Sequence, residues 1–388
     1  MTKEKLAVES SILLCGAEGV ADSKILSGFR SMIEAEAVTR AKNSDYAVCG
    51  KYCRTGEFGI DIIGETNEEP NLTEGKYLPE TAKKLLDGEI KAAICLDTNG
   101  YPRRAAAVSG LINMKPTYGT VSRYGILPVA TSADTVSVTA QTAEACEKLL
   151  SVISGIDEKD STTLSIANCP MKNGSEATKI KKIGIPFGIT DGVDEEVKKN
   201  FDRVIALLSE NSVETVDISK EKEHIFTTAH AAWNTVLCAE AWSELSRYDG
   251  VRYGKRADNI KNLSDLYIKT RSEGFGSLVK TVLLYGSCVL STETDGGRFF
   301  KATEAREWVK AEINRLFSEL DGILLPATSV PFYTEENIKT RGITAFNENF
   351  YTSLSSLYGL PTLTVNGVQM IGRPFSDAAL LHILNGNT

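Results

Sequence analysis

The chain has 388 residues, of which 42% are hydrophobic and 24% charged, and its formal net charge is −8 at pH 7. This composition is typical of a folded globular protein, and the length is sufficient to bury one large core. An acidic balance without a long basic run excludes strong sequence-wide attraction to nucleic acid. The same overall balance is compatible with a local basic patch that binds tRNA. The sequence contains no apolar stretch as long as a membrane span and no recognisable cleavable leader, so we expect a cytoplasmic protein that does not contact membranes.

Helical and strand-like patterns alternate along the chain. Apolar residues at helical spacing, with boundary residues such as Pro79 and Gly88, predict helices, and short apolar runs predict strands. The predicted helices cover residues 31–43, 79–87, 142–154, 194–209 and 299–319, and the predicted strands cover residues 46–50, 90–96 and 320–326. The alternation predicts an α/β fold with a large, mixed, twisted β-sheet covered by helices on both faces.

We expect a single domain over residues 1–388, with three parts. Residues 1–162 form the N-terminal part, residues 163–320 a mostly helical lobe, and residues 321–388 the C-terminal part that completes the sheet. The stretch 157–174 is polar and rich in serine, threonine and asparagine, which is typical of a loop or a junction between such parts.

The cysteines and histidines form no recognisable metal or nucleophile motif. Eight cysteines are scattered through apolar or mixed surroundings, which is typical of reduced thiols in a cytosolic protein. Cys49 and Cys53 are the one close pair, and they lack the second pair or the nearby histidine that a zinc site needs. His224 and His230 are six residues apart rather than at the spacing of a helical metal pair, and His382 stands alone. Neither a metal nor an organic cofactor is expected.

Residues 110–134 read GLINMKPTYGTVSRYGILPVATSAD. This stretch resembles the signature segment of the amidase-signature family. The agreement is continuous over residues 115–125 and returns at Ala130, Ser132 and Asp134. Because a long ordered stretch agrees rather than one short pattern, the resemblance is specific.

Further stretches resemble the same family along almost the whole chain. Residues 244–276, ELSRYDGVRYGKRADNIKNLSDLYIKTRSEGFG, are similar to a region of the A subunits of glutamyl-tRNA(Gln) and aspartyl-tRNA(Asn) amidotransferases. The resemblance implies the fold of that family and, as its activity, amide hydrolysis, with glutamine as the ammonia source in the A subunits. It also implies partners, namely B- and C-subunit-like proteins of a tRNA-dependent amidotransferase.

The family's hydrolysis uses a nucleophilic serine, a second serine in a cis peptide that relays a proton, and a lysine base. The turn DTNGYPRRAA, which begins at Asp97, aligns with the family's nucleophile turn, but the serine position holds Tyr101, followed by Pro102. The relay position falls on Tyr77, in a segment without the family's Gly/Ser-rich loop, and the lysine position falls near Glu9. We therefore expect no catalytic residue at these three positions.

The resemblance also implies a remnant of a substrate pocket. Arg306, in KATEAREWVK, matches the arginine that pairs with the glutamine carboxylate in the A subunits, although an ordinary surface arginine explains it equally well. The aspartate that binds the α-amine is replaced by Asn349, and the adjacent Glu348 would point elsewhere if the segment is extended. The turn itself supplies the other remnant positions: Thr98, Asn99 and Gly100.

Three functions remain open at this point. The departures at Tyr101, Tyr77 and Glu9 favour a non-catalytic pseudoenzyme, a scaffold that binds partner proteins. The second is an active glutamine amidase or the A subunit of an amidotransferase, working with unorthodox residues. The third is an amino-acid sensor that binds a small molecule in the former cleft, with Arg306 holding a carboxylate.

Overall fold

A mixed β-sheet runs through the computed structural model, which describes residues 3–18, 21–53, 56–61, 72–73, 75–172, 179–291 and 297–383. The strands in these ranges are β1 (Glu4–Glu9), β2 (Tyr46–Cys53), β3 (Leu72–Thr73), β4 (Lys76–Tyr77), β5 (Ala92–Asp97), β6 (Ile112–Lys115), β7 (Thr135–Ala140), β8 (Lys182–Pro186), β9 (Glu214–Ile218), β10 (Gly322–Pro326), β11 (Thr362–Val365) and β12 (Val368–Gly372). Ten of them form one sheet in the order β2-β1-β5-β7-β6-β11-β12-β10-β8-β9, and β3 pairs with β4.

Helices connect the strands. They are α1 (Glu36–Lys42), α2 (Glu80–Leu86), α3 (Tyr101–Ser109), α4 (Ala143–Ile153), α5 (Glu195–Glu210), α6 (Glu223–Leu245), α7 (Leu263–Gly274), α8 (Ser277–Val289), α9 (Gly297–Glu319), α10 (Glu335–Arg341), α11 (Ala345–Tyr358) and α12 (Asp377–His382). No helix in the described ranges combines the length and the apolarity that crossing a membrane requires.

Side chains of the central strands alternate between two apolar clusters. Leu6 of β1 and Ile94 of β5 belong to the main core, whereas their neighbours Ala7 and Ala93 belong to a second cluster that includes Leu85 of α2. Successive side chains of a strand point to opposite faces, so both faces of the sheet are covered. Parallel pairs such as β1–β5 and antiparallel pairs such as β5–β7 occur in the same sheet. The predicted α/β fold with a mixed sheet is confirmed.

All the predicted helices and strands are present, with ends shifted by a few residues. The largest shift is at the first helix, predicted over 31–43, because α1 begins only at Glu36. The amide of Ala35 donates to the carbonyl of Leu13, and the amide of Glu36 donates to the carbonyl of Tyr124. These two amides therefore bond other segments, whereas a helix beginning at residue 31 would pair them with the carbonyls of Ser31 and Met32.

The middle of the chain contributes to the sheet as well as to the helices. Residues 163–320 hold α5 to α9, but also β8 and β9 at one edge of the sheet, where β8 pairs with β10. The division of the domain into three parts stays a prediction. Seven cysteines within the described side chains are free thiols. The side chain of Cys53 lies outside them, so the expectation for the pair with Cys49 also stays a prediction.

The long helix α6 packs against α8, and one glycine sets their separation. A Cβ at Gly286 of α8 would collide with the Cys238 carbonyl and the Trp242 side chain of α6. We expect Gly286→Ala to lower the free energy of unfolding by about 1–3 kcal/mol, because the two helices must move apart. Urea unfolding followed by tryptophan fluorescence measures the effect.

Gly297→Ala is the matched control for this prediction. A Cβ at Gly297, the first residue of α9, meets no atom within 4 Å. Its replacement should leave stability unchanged or raise it slightly, since alanine favours helix formation. An unfolding midpoint for Gly286→Ala equal to that of the wild type would show that the α6–α8 contact is not tight.

Candidate functional site at the end of strand β5

The turn between β5 and α3 carries the position expected for the nucleophile. β5 ends at Asp97 and α3 begins at Tyr101, so residues 98–100 connect them. Gly100 has a φ of +81°, and a Cβ there would lie 2.5 Å from the Thr352 side chain. Glycine alone combines this left-handed conformation with so close an approach. The turn therefore brings the start of α3 directly against α11.

A buried ion pair braces this turn. Arg103 Nε lies 2.8 Å from Asp97 Oδ2, Arg103 Nη2 lies 3.0 Å from Asp97 Oδ1, and both side chains are fully buried. The guanidinium also donates to the Thr352 carbonyl, the Gln369 side chain and the Ser356 hydroxyl. Burial alone would raise the pKa of Asp97, but the charge and hydrogen bonds of Arg103 hold it below its ordinary value. This carboxylate is committed to Arg103 and cannot serve as a general base.

The side chains of Thr98 and Asn99 each have buried partners. The Thr98 hydroxyl donates to Asp134, which also accepts from two backbone amides. The Asn99 side-chain oxygen accepts from the indole nitrogen of Trp233 at 3.0 Å, and its nitrogen donates to the Ile60 carbonyl at 2.9 Å. These bonds tie the turn to the residue just before β7, to α6 and to the segment around residue 60. The polar residues of the turn thus fix its shape.

Tyr101, at the expected serine position, is the first residue of α3 and is only 1% exposed. Burial raises the pKa of its phenol well above the ordinary value, and the nearby carboxyls of Glu9, Asp22 and Asp61 raise it further. A phenolate nucleophile is therefore strongly disfavoured at neutral pH. Pro102 occupies the first turn of α3, where its missing amide costs no helical hydrogen bond.

Glu9, near the expected lysine position, lies at the end of β1 and is buried. Its carboxyl accepts a hydrogen bond from the Leu96 amide at 3.2 Å and contacts the Cys95 thiol. Burial raises the pKa of Glu9 to about 8, so the group is mostly protonated at neutral pH. A protonated carboxyl beside Tyr101 can donate a proton, but it cannot do the work of a neutral amine base.

Tyr77, at the expected relay position, packs in a small apolar cluster with Val330, Tyr333 and Ile343. Its backbone amide donates to the Tyr333 carbonyl at 2.9 Å. The residues just before it, 62–71 and 74, lie outside the described residues. The predicted absence of a Gly/Ser-rich loop therefore stays a prediction.

Arg104 also belongs to this site, although no sequence pattern predicted it. Its side chain is fully buried, and it donates to the Asn99 carbonyl at 2.7 Å, the Asp61 carbonyl at 3.2 Å and the Asn349 side chain at 3.3 Å. Its Nε has no hydrogen-bond partner among the described residues. Within the same residues, its hydrogen-bond acceptors are neutral oxygens rather than carboxylates. Arg104 is thus a buried cation that joins α3 to α11 through neutral groups.

Glu348 and Asn349 lie on helix α11, where both are buried, and not on an extended segment. A helix rotates about 100° per residue, so two neighbours can both reach the interior. Glu348 accepts hydrogen bonds from the Tyr333 hydroxyl at 2.7 Å and the Ser329 amide at 3.1 Å. Burial lowers the pKa of Arg104, and Tyr333 and Glu348 act in the opposite direction. The segment is therefore helical rather than extended, and Glu348 bonds Tyr333 and Ser329 rather than the turn.

Arg306 is not joined to this turn by any hydrogen bond among the described residues. Its backbone carbonyl accepts from the Tyr358 hydroxyl, and its charge opposes the rise that burial causes in the pKa of Tyr358. Asn349, in contrast, reaches the turn through Arg104. The structure therefore assembles the remnant positions of the turn with Asn349, and the role of Arg306 stays a prediction.

The histidines supply no evident replacement base in the part of the chain that the structure describes. His230 Nε2 lies 2.6 Å from the Phe346 carbonyl and 2.9 Å from the Asn234 side-chain nitrogen. His224 lies against an indole ring, and His382 pairs with a surface carboxylate. No group of three or more histidine, cysteine and acidic side chains in the same ranges is placed to hold a metal ion.

Solved structures include close matches to this architecture. The crystal structure of the A subunit of a glutamyl-tRNA(Gln) amidotransferase from Thermotoga maritima matches with a TM-score of 0.76 and 26% identity, over 98% of this chain and 82% of that chain. A 6-aminohexanoate cyclic dimer hydrolase matches with a TM-score of 0.79 over 98% of this chain and 83% of that chain. Its identity is only 15%, so this second likeness concerns the fold alone.

Comparison at the level of sequence agrees with the fold. The A subunit of the glutamyl-tRNA(Gln) amidotransferase from Pediococcus pentosaceus is 30% identical over 97% of this chain and 80% of its own length. The corresponding protein from Campylobacter jejuni is 33% identical over 93% of this chain and 80% of its own length. The family model described as Amidase matches residues 88–381, which include the turn after β5 and helix α11. The chain therefore belongs to the amidase family.

Proposed function

We propose that this chain is a non-catalytic relative of the A subunits of tRNA-dependent amidotransferases and acts as a scaffold that binds partner proteins. One observation carries the proposal. The phenol of Tyr101 is buried at the start of α3, where the family's nucleophilic serine is expected. A tyrosine ring is much larger than a serine hydroxyl, and in a closely packed interior it takes the space that an entering amide would need.

The groups around Tyr101 support the same proposal. A hydroxyl nucleophile needs a base within hydrogen-bonding reach. Glu9 holds its proton at neutral pH, and Asp97 is bound by Arg103. Arg104 closes another side of the site by bonding two backbone carbonyls. Together these contacts resemble a closed polar core more than an open catalytic cleft.

Partner binding is supported by the relatives and by one surface segment. The relatives are named as A subunits, which indicates that they belong to larger assemblies. In this chain residues 246–262 connect α6 to α7, and Val251 and Tyr253 within them are 45% and 58% exposed. Exposed apolar and aromatic side chains are enriched where proteins contact one another. We place the contact with B- or C-subunit-like proteins on this segment.

The activity assay separates a scaffold from an active amidase. We expect the purified protein to release no ammonia from glutamine above the buffer blank, alone or with B- and C-subunit-like proteins. Tyr101→Ser should stay inactive, because restoring one hydroxyl supplies neither the relay nor the base. Glutaminase activity in the wild type that disappears in Tyr101→Phe but persists in the surface control Tyr285→Phe would overturn the proposal.

The protonated state of Glu9 predicts a pH dependence of stability. The pKa of Glu9 is about 8 in the folded protein and 4.5 ordinarily, so the folded state holds an extra proton between these values. Stability from this group is full below about pH 4.5 and is lost as the pH rises through about 8. Glu9→Gln lacks this loss. As the pH rises from about 5 to about 9, the free energy of unfolding of Glu9→Gln should therefore increase by on the order of 3 kcal/mol relative to that of the wild type.

Urea unfolding at several pH values measures this difference. Glu89→Gln, which removes an exposed carboxylate, is the matched control and should show the same pH dependence as the wild type. If the difference between Glu9→Gln and the wild type is constant with pH, Glu9 is not protonated in the folded protein.

The scaffold proposal predicts a stable complex. Co-expression with B- and C-subunit-like proteins from the same genome should give one species in size-exclusion chromatography. Val251→Asp and Tyr253→Asp should weaken the complex roughly ten-fold or more, because each buries a charge in an apolar contact. Phe187→Asp, at a residue that is 50% exposed after β8, is the control and should bind normally. The absence of any complex with either protein would contradict the scaffold.

A further inference from the structure

A cavity of about 390 Å³ lies away from the turn after β5 and shares none of its residues. It opens between the short 3-10 turn Lys24–Leu26, the connection between α6 and α7, and the end of α7. The volume is in the range of small-molecule sites. The lining consists of Lys24, Ser27, Lys255, Arg256, Ala257, Asp258, Thr270, Glu273 and Gly274.

Charged side chains of both signs surround this cavity. Three cations, Lys24, Lys255 and Arg256, and two carboxylates, Asp258 and Glu273, line it, which leaves one net positive charge. None of the five takes part in an ion pair within the described ranges, although several other surface charges in the chain do. Cations that are not paired with carboxylates can bind an anion that enters the cavity.

The backbone and Arg256 are fixed in place. The amide of Lys255 donates to the carbonyl of Ile25 at 2.6 Å, which links the connection to the 3-10 turn. The amide of Ala257 donates to the Thr270 hydroxyl at 3.2 Å, which links it to α7. Arg256 Nε donates to the Gly250 carbonyl at 2.9 Å, so one edge of the guanidinium is anchored.

The other edge of Arg256 can meet a ligand. No residue in the described ranges accepts a hydrogen bond from its two terminal nitrogens, and the same is true of the Lys24 and Lys255 ammonium groups. A guanidinium with one edge anchored presents parallel N–H donors, the arrangement that binds a carboxylate or phosphate with two hydrogen bonds. The two lysines add positive charge without a fixed geometry.

We propose that this cavity binds a small organic anion through a phosphate or carboxylate group held by Arg256, Lys255 and Lys24. Asp258 and Glu273 would accept hydrogen bonds from hydroxyl or amino groups on the body of the same ligand. This site on the α6–α7 connection shares no residue with the turn after β5, so its ligand binding is tested independently of activity at that turn.

Calorimetric titration of the full chain tests the proposal with three probes: inorganic phosphate, adenosine monophosphate and glutamate. We expect saturable binding of at least one probe at one site per chain. Lys255→Gln and Arg256→Gln should each weaken it roughly ten-fold, the loss typical of one hydrogen bond to a charged group. Binding of the phosphate probes alone assigns a phosphate ligand, and binding of glutamate alone assigns a carboxylate ligand.

Lys261→Gln is the matched control, since it removes an exposed lysine of the same connection that does not line the cavity. It should bind the probe as the wild type does. The proposal is overturned if none of the three probes binds saturably, or if Lys261→Gln loses as much affinity as Lys255→Gln. Melting temperatures of the unliganded variants, which we expect to equal that of the wild type, verify that the substitutions leave the fold intact.

Discussion

The buried pair of Asp97 and Arg103 is the interaction on which the site depends. Arg103 uses all five of its donors, two on Asp97 and the others on α11 and on Gln369 of β12. One guanidinium therefore joins the end of β5, the start of α3, helix α11 and the far half of the sheet. Removing one member of such a pair generally costs about 3–5 kcal/mol, because the other charge is left buried without compensation.

Close to this pair, burial favours the neutral forms of the titratable side chains. Burial lowers the pKa of Lys115 to about 7 despite the opposing charge of Asp97, and its Nζ donates to the Leu360 carbonyl at 3.0 Å. Burial also keeps Glu9 protonated at neutral pH. A neutral group avoids most of the cost of burying a charge. Arg104 cannot use this route, since a guanidinium keeps its proton in proteins, so neutral oxygens of the backbone and side chains surround it instead.

The sequence was sufficient for the fold and for the turn, but not for the packing between distant helices. The run 90–96 predicts a strand, because a short apolar run is recognisable from local sequence alone. The adjacent arginines in YPRRAA were a signal for Arg104, but which way its side chain faces depends on α11, about 245 residues later, as the bond to Asn349 shows. The helix that carries Glu348 was not predicted for a similar reason, since a short polar stretch does not distinguish a helix from an extended segment.

The residues of the turn that match the family are those with structural partners elsewhere in the fold. Asp97 needs Arg103, Thr98 bonds a buried carboxylate, and Gly100 admits the side chain of α11. Tyr101 differs, because it stands where the resemblance implies a catalytic serine, and its buried aromatic ring fits the packing there. A tyrosine at this position therefore leaves the turn undisturbed. The shape of the turn indicates the fold. Activity, in contrast, requires a nucleophile, a relay and a base within hydrogen-bonding reach of one another.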